Sequence, residues 1–230
     1  MSEIFMSEKI TLIIPTLNAS NTLDTTLKSA SKFFKNIIIV DAYSKDNTVK
    51  IAKKYKSKIL LCSANRGKQL HRGAQKANSD WFLFLHADTI INKNSYQEIL
   101  NFIKIENNIN KAAYFKLKFN DKNYSSLFVE KIVYLRNIIF KLPYGDQGLL
   151  ISKNFYKKIG GYKELPIMED VNIIKRIKYK NLIIINSYII TDAVKYKKQG
   201  WIIRPLINLT CLTLYFMGCN INKINNIYKK

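Results

Sequence analysis

The segment LFLHADT, residues 83–89, is an apolar run that ends in His86, Ala87 and Asp88. Residues two apart in an extended segment share a side, so His86 and Asp88 point the same way. Asp88 can bind a divalent cation, and a neutral imidazole beside it serves as second ligand or supporting partner for Mn2+ or Mg2+. Such a cation bridges phosphates and stabilises the charge that develops on a diphosphate leaving group. Alone, an HxD pair is a weak signal, which a packed histidine next to a helix-capping acid also explains. Other groups of the required kinds are Asp41 in DAYSKDNT, Arg66 and Lys68 in SANRGKQLHRGA, Asp146 in YGDQG, and the pair Glu169 and Asp170 in PIMED. Carboxylate, cations and a metal-binding acid are together what a nucleotide diphosphate needs.

Ligands of open α/β sheets bind beyond the carboxyl ends of the strands. Short apolar runs at Ile10–Ile14, Ile37–Val40, Ile59–Leu61 and Trp81–Leu85 have the pattern of strands buried on both faces. Segments of helical length, Asn21–Ser31, Asp46–Tyr55 and Gln69–Ala77, connect them. The order is βα repeated, which predicts a largely parallel, Rossmann-like sheet with right-handed crossovers. The strands then run into PTLN (Pro15, Thr16, Leu17, Asn18), Asp41, the Arg66 segment and HAD. Each of these is singly compatible with an ordinary loop or cap. Neither GxGxxG nor a Walker GxxxxGK[ST] is present, which argues against a dinucleotide dehydrogenase and a P-loop enzyme.

The second half predicts a helix at Asn94–Ile105, a strand at Ala112–Phe119 and an amphipathic helix at Tyr124–Phe140. In that helix Glu130, Lys131, Asn137 and Lys141 fall on one side, and Ile132, Val133, Leu135, Ile138 and Ile139 cover another. A strand at Gly148–Ser152, helices from Lys153 and about Asp170, and a strand at Leu182–Ile185 follow. No linker separates the halves. We expect one unit over 1–230, with a nucleotide-binding half over about 8–90, an acceptor-side half over about 91–200 and an apolar C-terminal helix over about 201–217.

The chain of 230 residues is 47% hydrophobic and 23% charged, a globular composition. Its formal charge of +22 predicts attraction to an anionic partner: nucleic acid, an acidic bilayer surface or phosphorylated small molecules. Lys, Ile and Asn are abundant together, so background composition also accounts for part of this charge. No RNP1, helix-turn-helix or zinc-finger pattern is present, which argues against nucleic acid. Cys62, Cys211 and Cys219 form no CxxC pair and indicate a reducing compartment. MSEIFMSEKI lacks a signal-peptide pattern, so a cytoplasmic location is expected. Trp201–Met217 is apolar but interrupted by Arg204, Pro205 and Asn208, and from Pro205 to Met217 it is short for a span of about 20 residues. It suits either the core or the interface of an anionic membrane, as a peripheral element on the inner face.

With these segments in hand, the chain resembles the GT-A fold glycosyltransferases of family 2. IIPTLNASNTLDTTLKS, IIIVDAYSKDNT, RGKQLHRGA, LFLHADT, GDQGLLISKNFYKKIGGY and PIMEDVNIIKRI occur in that family's order over residues 10–178. The likeness is greatest to a bacterial subgroup with HAD in place of DxD and with GDQ and MED motifs. It departs at His86, where the family has an acid, and at His71, where an Asn is more usual. The resemblance implies a Rossmann-like mostly parallel sheet and an inverting transfer from a nucleotide-diphosphate sugar to a hydroxyl acceptor. It implies that Asp41 contacts the nucleoside and Pro15, Thr16, Leu17, Asn18 and Ala87 line its pocket. Arg66 and Gln69 lie near the diphosphate, Asp88 with His86 holds Mn2+ or Mg2+, Gly145, Asp146, Gln147 and Glu169 face sugar or acceptor, and Asp170 is the base. At a helix start Asp170 is favoured as the anion, while Glu169 opposes this. The sugar, the nucleobase and the acceptor stay open. Rival readings are a basic membrane-surface or nucleic-acid binder and an inactive relative.

Overall fold

The computed structural model describes residues 8–229. The N-terminal segment read above as lacking a leader lies, up to residue 7, outside the described residues. Strands β1 (Ile10–Thr16), β2 (Asn36–Asp41), β3 (Lys58–Leu61) and β4 (Trp81–Phe84) alternate with helices α1 (Ser20–Ala30), α2 (Thr48–Lys54) and α3 (Arg66–Lys76). Then come β5 (Thr89–Ile90), α4 (Lys93–Lys104), β6 (Ala112–Phe119), α5 (Tyr124–Phe140), β7 (Leu149–Ser152), α6 (Lys153–Lys158), α7 (Glu169–Ile177) and β8 (Leu182–Thr191). Helices α8 (Val194–Gln199), α9 (Ile203–Phe216) and α10 (Ile221–Lys229) end the chain.

One sheet in the order β3-β2-β1-β4-β7-β6-β8-β5 carries both halves. β1 to β4 are mutually parallel, as the βα order requires. β7 runs antiparallel to both β4 and β6, and β8 lies parallel to β6. The apolar runs are continuous because both faces are covered. Leu12, Leu27, Leu83 and Ile99 pack on one side, and Ile13, Val40, Phe84 and Ile174 on the other.

Several boundaries differ from expectation for local reasons. Helix α3 begins at Arg66, ahead of the expected Gln69, because the Asn65 side chain accepts from the Lys68 N–H and caps it. β8 continues to Thr191 because Asn186 and Ser187 sit in an irregularity opposite Phe115 and Lys116, after which pairing resumes. Ser187 meets Ser95 at 2.9 Å, so a polar residue is tolerated inside the strand.

Helix α5 is rotated from its expected setting. Asn137, expected on the polar side, is buried along with Val129 and Val133, whereas Ile132, Leu135, Ile138 and Ile139 are exposed. The reason is a buried polar partner: Asn137 Nδ2 donates to Gln147 Oε1 at 3.0 Å. Glu130 also turns to the protein, where its Oε1 accepts from the Phe119 N–H at 2.7 Å. In the tail, Arg204 does not interrupt α9. It is buried, donates to Gln199 and to the Tyr228 carbonyl, and lies over the Tyr228 ring. Among the described residues no helix is long and apolar enough to cross a membrane.

Candidate functional site

The carboxyl ends of β1, β2 and β4 and the start of α7 converge on a cleft. Asp41 closes β2 and is fully buried. Its carboxylate accepts from Thr16 Oγ1 at 2.7 Å, from the Ser44 N–H at 2.7 Å and from Ser44 Oγ at 2.6 Å. In this arrangement Asp41 shapes the wall beneath the expected nucleoside pocket. The lip is formed by Leu17, Asn18 and Tyr43, all exposed. Asn18 adopts φ 49°, and its Oδ1 accepts from the Lys45 N–H, which ties the two lips together. Pro15 is half-buried between them.

Gln69, expected beside the diphosphate, is buried under the cleft. Its Nε2 donates to the carbonyls of Thr16 at 3.0 Å and Val40 at 2.7 Å, which fastens the ends of β1 and β2 to α3. Arg66, one turn earlier, does reach the cleft. Its Nε stands 3.7 Å from Glu169 Oε1. Gly67 makes this approach possible: its N–H donates to the Leu165 carbonyl at 3.1 Å, and a Cβ there would lie 1.9 Å from the Lys163 oxygen. Burial pushes the Glu169 carboxyl up to about 7, with the charge of Asp170 adding to the shift and Arg66 opposing it.

His86 follows β4 with its ring half-buried. Burial, then the charges of Arg66 and Lys195, hold it well below the ordinary histidine range, so the imidazole is neutral. Ala87 is anchored by its carbonyl, which accepts from Thr26 Oγ1 at 2.9 Å. Asp88 lies opposite Thr191, whose Oγ1 is 3.5 Å from Asp88 Oδ1. Burial raises the Asp88 carboxyl, against the pull of Lys195 and Arg66.

Gly145, Asp146 and Gln147 form a single 3-10 turn before β7. The three have different fates. Gln147, expected to face the sugar, is fully buried: its Oε1 accepts from Arg136 and Asn137 at 3.0 Å each, and its Nε2 donates to the Phe115 carbonyl at 2.8 Å. Asp146 faces the acids. Burial pushes it up to about 6, with Arg136 opposing and Asp170 and Asp88 contributing, and its Oδ1 has no hydrogen-bond partner. The Gly145 N–H donates to Asp170 Oδ2 at 2.8 Å, while Asp170 Oδ1 accepts from the Val171 N–H at 2.7 Å. A small cavity of about 20 Å³ is lined by His86, Gly145, Tyr162, Glu169 and Asp170, enough for one water-sized group.

The fold therefore gathers Arg66, His86, Asp88, Asp146, Glu169 and Asp170, and sets Asp41, Gln69 and Gln147 in the supporting walls. Sequence reasoning missed Arg136, whose guanidinium lies 3.6 Å from the Tyr144 ring centroid. A lone cation inside the apolar VYLRNIIF was the available signal. It also missed Thr191, which lies at the end of a strand expected to stop at Ile185.

Residues 11–157 match the family described as Glycosyl transferase family 2. The chain belongs to glycosyl transferase family 2. It is 30% identical over 168 residues to the O-antigen chain rhamnosyltransferase WbaN of Salmonella anatum, covering 65% of this chain and 47% of that protein. It thus spans less than half the length of this curated relative. Among solved structures, TarS 1-349 of S. aureus in complex with UDP-GlcNAc superposes with a TM-score of 0.63 at 18% identity, over 96% of this chain and 70% of that one. Glucosyl-3-phosphoglycerate synthase of Mycobacterium tuberculosis, with Mn2+, UDP-glucose and phosphoglyceric acid, superposes with a TM-score of 0.54 at 15% identity, over 76% and 68% of the two chains. These structures share the fold of this family 2 chain, a mixed α/β sheet flanked by helices.

Proposed function

We propose that this family 2 chain transfers a sugar from a nucleotide-diphosphate donor to a hydroxyl acceptor with inversion, and that Asp170 is the base. What supports this most is the Asp170 carboxylate, fixed by the Gly145 N–H at 2.8 Å and facing the small cavity that His86 closes. The acceptor hydroxyl donates its hydrogen bond to Asp170 and gives up its proton there as its oxygen attacks the anomeric carbon. The bond from that carbon to the diphosphate oxygen breaks on the opposite face, and the electron pair leaves with the diphosphate. A single base suffices for one in-line displacement. Arg66, beside the cleft, lends positive charge to the departing phosphates.

Asp88 with His86 would hold the divalent cation. The residues fit it: the imidazole is neutral, and Asp146 carries a buried carboxylate oxygen without a partner in a mutually repelling set of acids. Among the described residues no three His, Cys, Asp or Glu side chains converge as a closed cage. A Mn2+ or Mg2+ that takes one or two protein ligands draws the others from substrate phosphates and water. When bound, it supplies the charge that neutralises the diphosphate.

The test is a thermal-shift panel of UDP, GDP, CDP, ADP and dTDP with and without Mn2+, alongside Asp88→Asn. A nucleotide at about 100 times its Kd stabilises the fold by roughly 2.7 kcal/mol. We expect one nucleotide to stand clear, only with metal and only in the wild type. An equal shift from every anion would sink this reading in favour of a charge-driven binder.

A further inference from the structure

Helices α5 and α9 face each other across a groove of about 1270 Å³. Ligand pockets for small molecules are usually about 300–1,000 Å³, so this one is built for something longer. Its walls include Phe128, Ile132 and Ile139 on one side and Ile202, Leu206 and Leu209 on the other, all exposed. The rotation of α5 that buries Asn137 is what turns this apolar row outward. An unpartnered patch of this extent marks a binding surface.

Three observations indicate what covers it. First, Tyr144 and Ile174 line both the groove and the small cavity at Gly145 and Asp170, so the two are contiguous. Second, Lys141, Lys175 and Lys178 line the groove, Lys141 over the Tyr179 ring at 4.1 Å and Lys175 over the Phe216 ring at 4.9 Å, and no acidic side chain does so among the described residues. Third, Arg136 and Asn208, both on the lining, carry buried polar atoms without partners, Arg136 Nε and Asn208 Oδ1. A second copy of a chain of charge +22 would bring lysines against lysines, which disfavours self-association through this face.

We propose that the groove holds the hydrocarbon chain of an amphiphilic acceptor with an anionic head group, and so delivers the acceptor hydroxyl past Tyr144 to Asp170. This names the acceptor class for the transfer proposed above and rests on that reading. The apolar rows take up the chain, the lysines meet the anionic group, and Arg136 stands where head and chain join.

The experiment titrates the full chain, with and without the donor nucleotide, with inorganic phosphate and with alkyl phosphates from octyl to hexadecyl below their micellar concentrations. The fluorescence of Trp201, a lining residue, reports binding. Affinity should tighten by about fourfold for each buried methylene until the groove is filled, and inorganic phosphate should leave the signal unchanged. Ile139→Glu and Leu206→Glu, at positions 62% and 55% exposed, should abolish the chain-length dependence and leave the nucleotide-induced thermal shift intact. Equal affinity at all lengths overturns the proposal. So does binding to anionic vesicles without binding of monomeric alkyl phosphates, and so does a dimer in sedimentation that Ile139→Glu dissociates. A nucleotide shift without chain-length dependence rejects the groove alone; chain-length dependence without any nucleotide shift rejects the transfer reading alone.

Discussion

The backbone N–H of Gly145 donates to Asp170 Oδ2 at 2.8 Å, and the imidazole Nε2 of His86 lies only 2.6 Å from where a Gly145 Cβ would stand. One residue without a side chain thus spaces the proposed base from the end of β4. Gly145→Ala must displace either the ring or the turn. We expect it to cost about 1–3 kcal/mol in urea unfolding, the usual penalty for overpacking, and to lower turnover further because Asp170 moves with the turn. Full activity in Gly145→Ala would mean that His86 and Asp170 need no fixed spacing.

Asp170→Asn keeps an oxygen that accepts from the Gly145 N–H but removes the proton acceptor. Turnover should fall by about 10²–10⁴, and stability should change by no more than about 1 kcal/mol, as one hydrogen bond is at stake. The donor nucleotide should still raise the melting temperature. Loss of nucleotide binding together with turnover would assign Asp170 to the donor pocket instead.

Two acids make stability depend on pH. Burial raises Asp146 from 3.8 to about 6, and burial with Asp170 raises Glu169 from 4.5 to about 7. The folded state therefore holds protons that the unfolded chain has already released, and stability falls as pH rises through this window, from about 4 to 7, and levels off above it. Melting temperature measured from pH 5 to 7.5 should drop more steeply in the wild type than in Asp146→Asn or Glu169→Gln. Identical slopes would show that burial does not raise either carboxyl.

What the sequence made legible was periodicity and punctuation. The runs at Ile37 and Trp81 read as strands because both faces of the sheet are covered, and their ends carry Asp41 and His86 to the cleft. What it hid were pairings settled by distant partners. Asn137 looks like a surface residue of α5 until Gln147, ten residues on, supplies a buried acceptor. Gln69 and Asp41 sit in motifs that suggest ligand contact, yet the Gln69 amide donates to the Thr16 and Val40 carbonyls, and the Asp41 carboxylate accepts from the Thr16 hydroxyl and from Ser44. Helical periodicity reports which residues are apolar, and a single buried amide decided which of them face the core.

Gln147 gives the sharpest test of that last point. Its amide joins α5 to β6 through Arg136, Asn137 and the Phe115 carbonyl. Gln147→Leu keeps the volume roughly but leaves those groups without partners in a buried place, at about 1–3 kcal/mol for each group left unsatisfied. Gln147→Glu retains the acceptor for Arg136 and Asn137 and loses only the donor to Phe115, so it should destabilise less despite introducing a charge, because Arg136 is at hand to pair with it. Urea unfolding of both variants ranks them. If leucine proves the milder change, the amide is dispensable, and the rotation of α5 must be held by the packing of Val129 and Val133 alone.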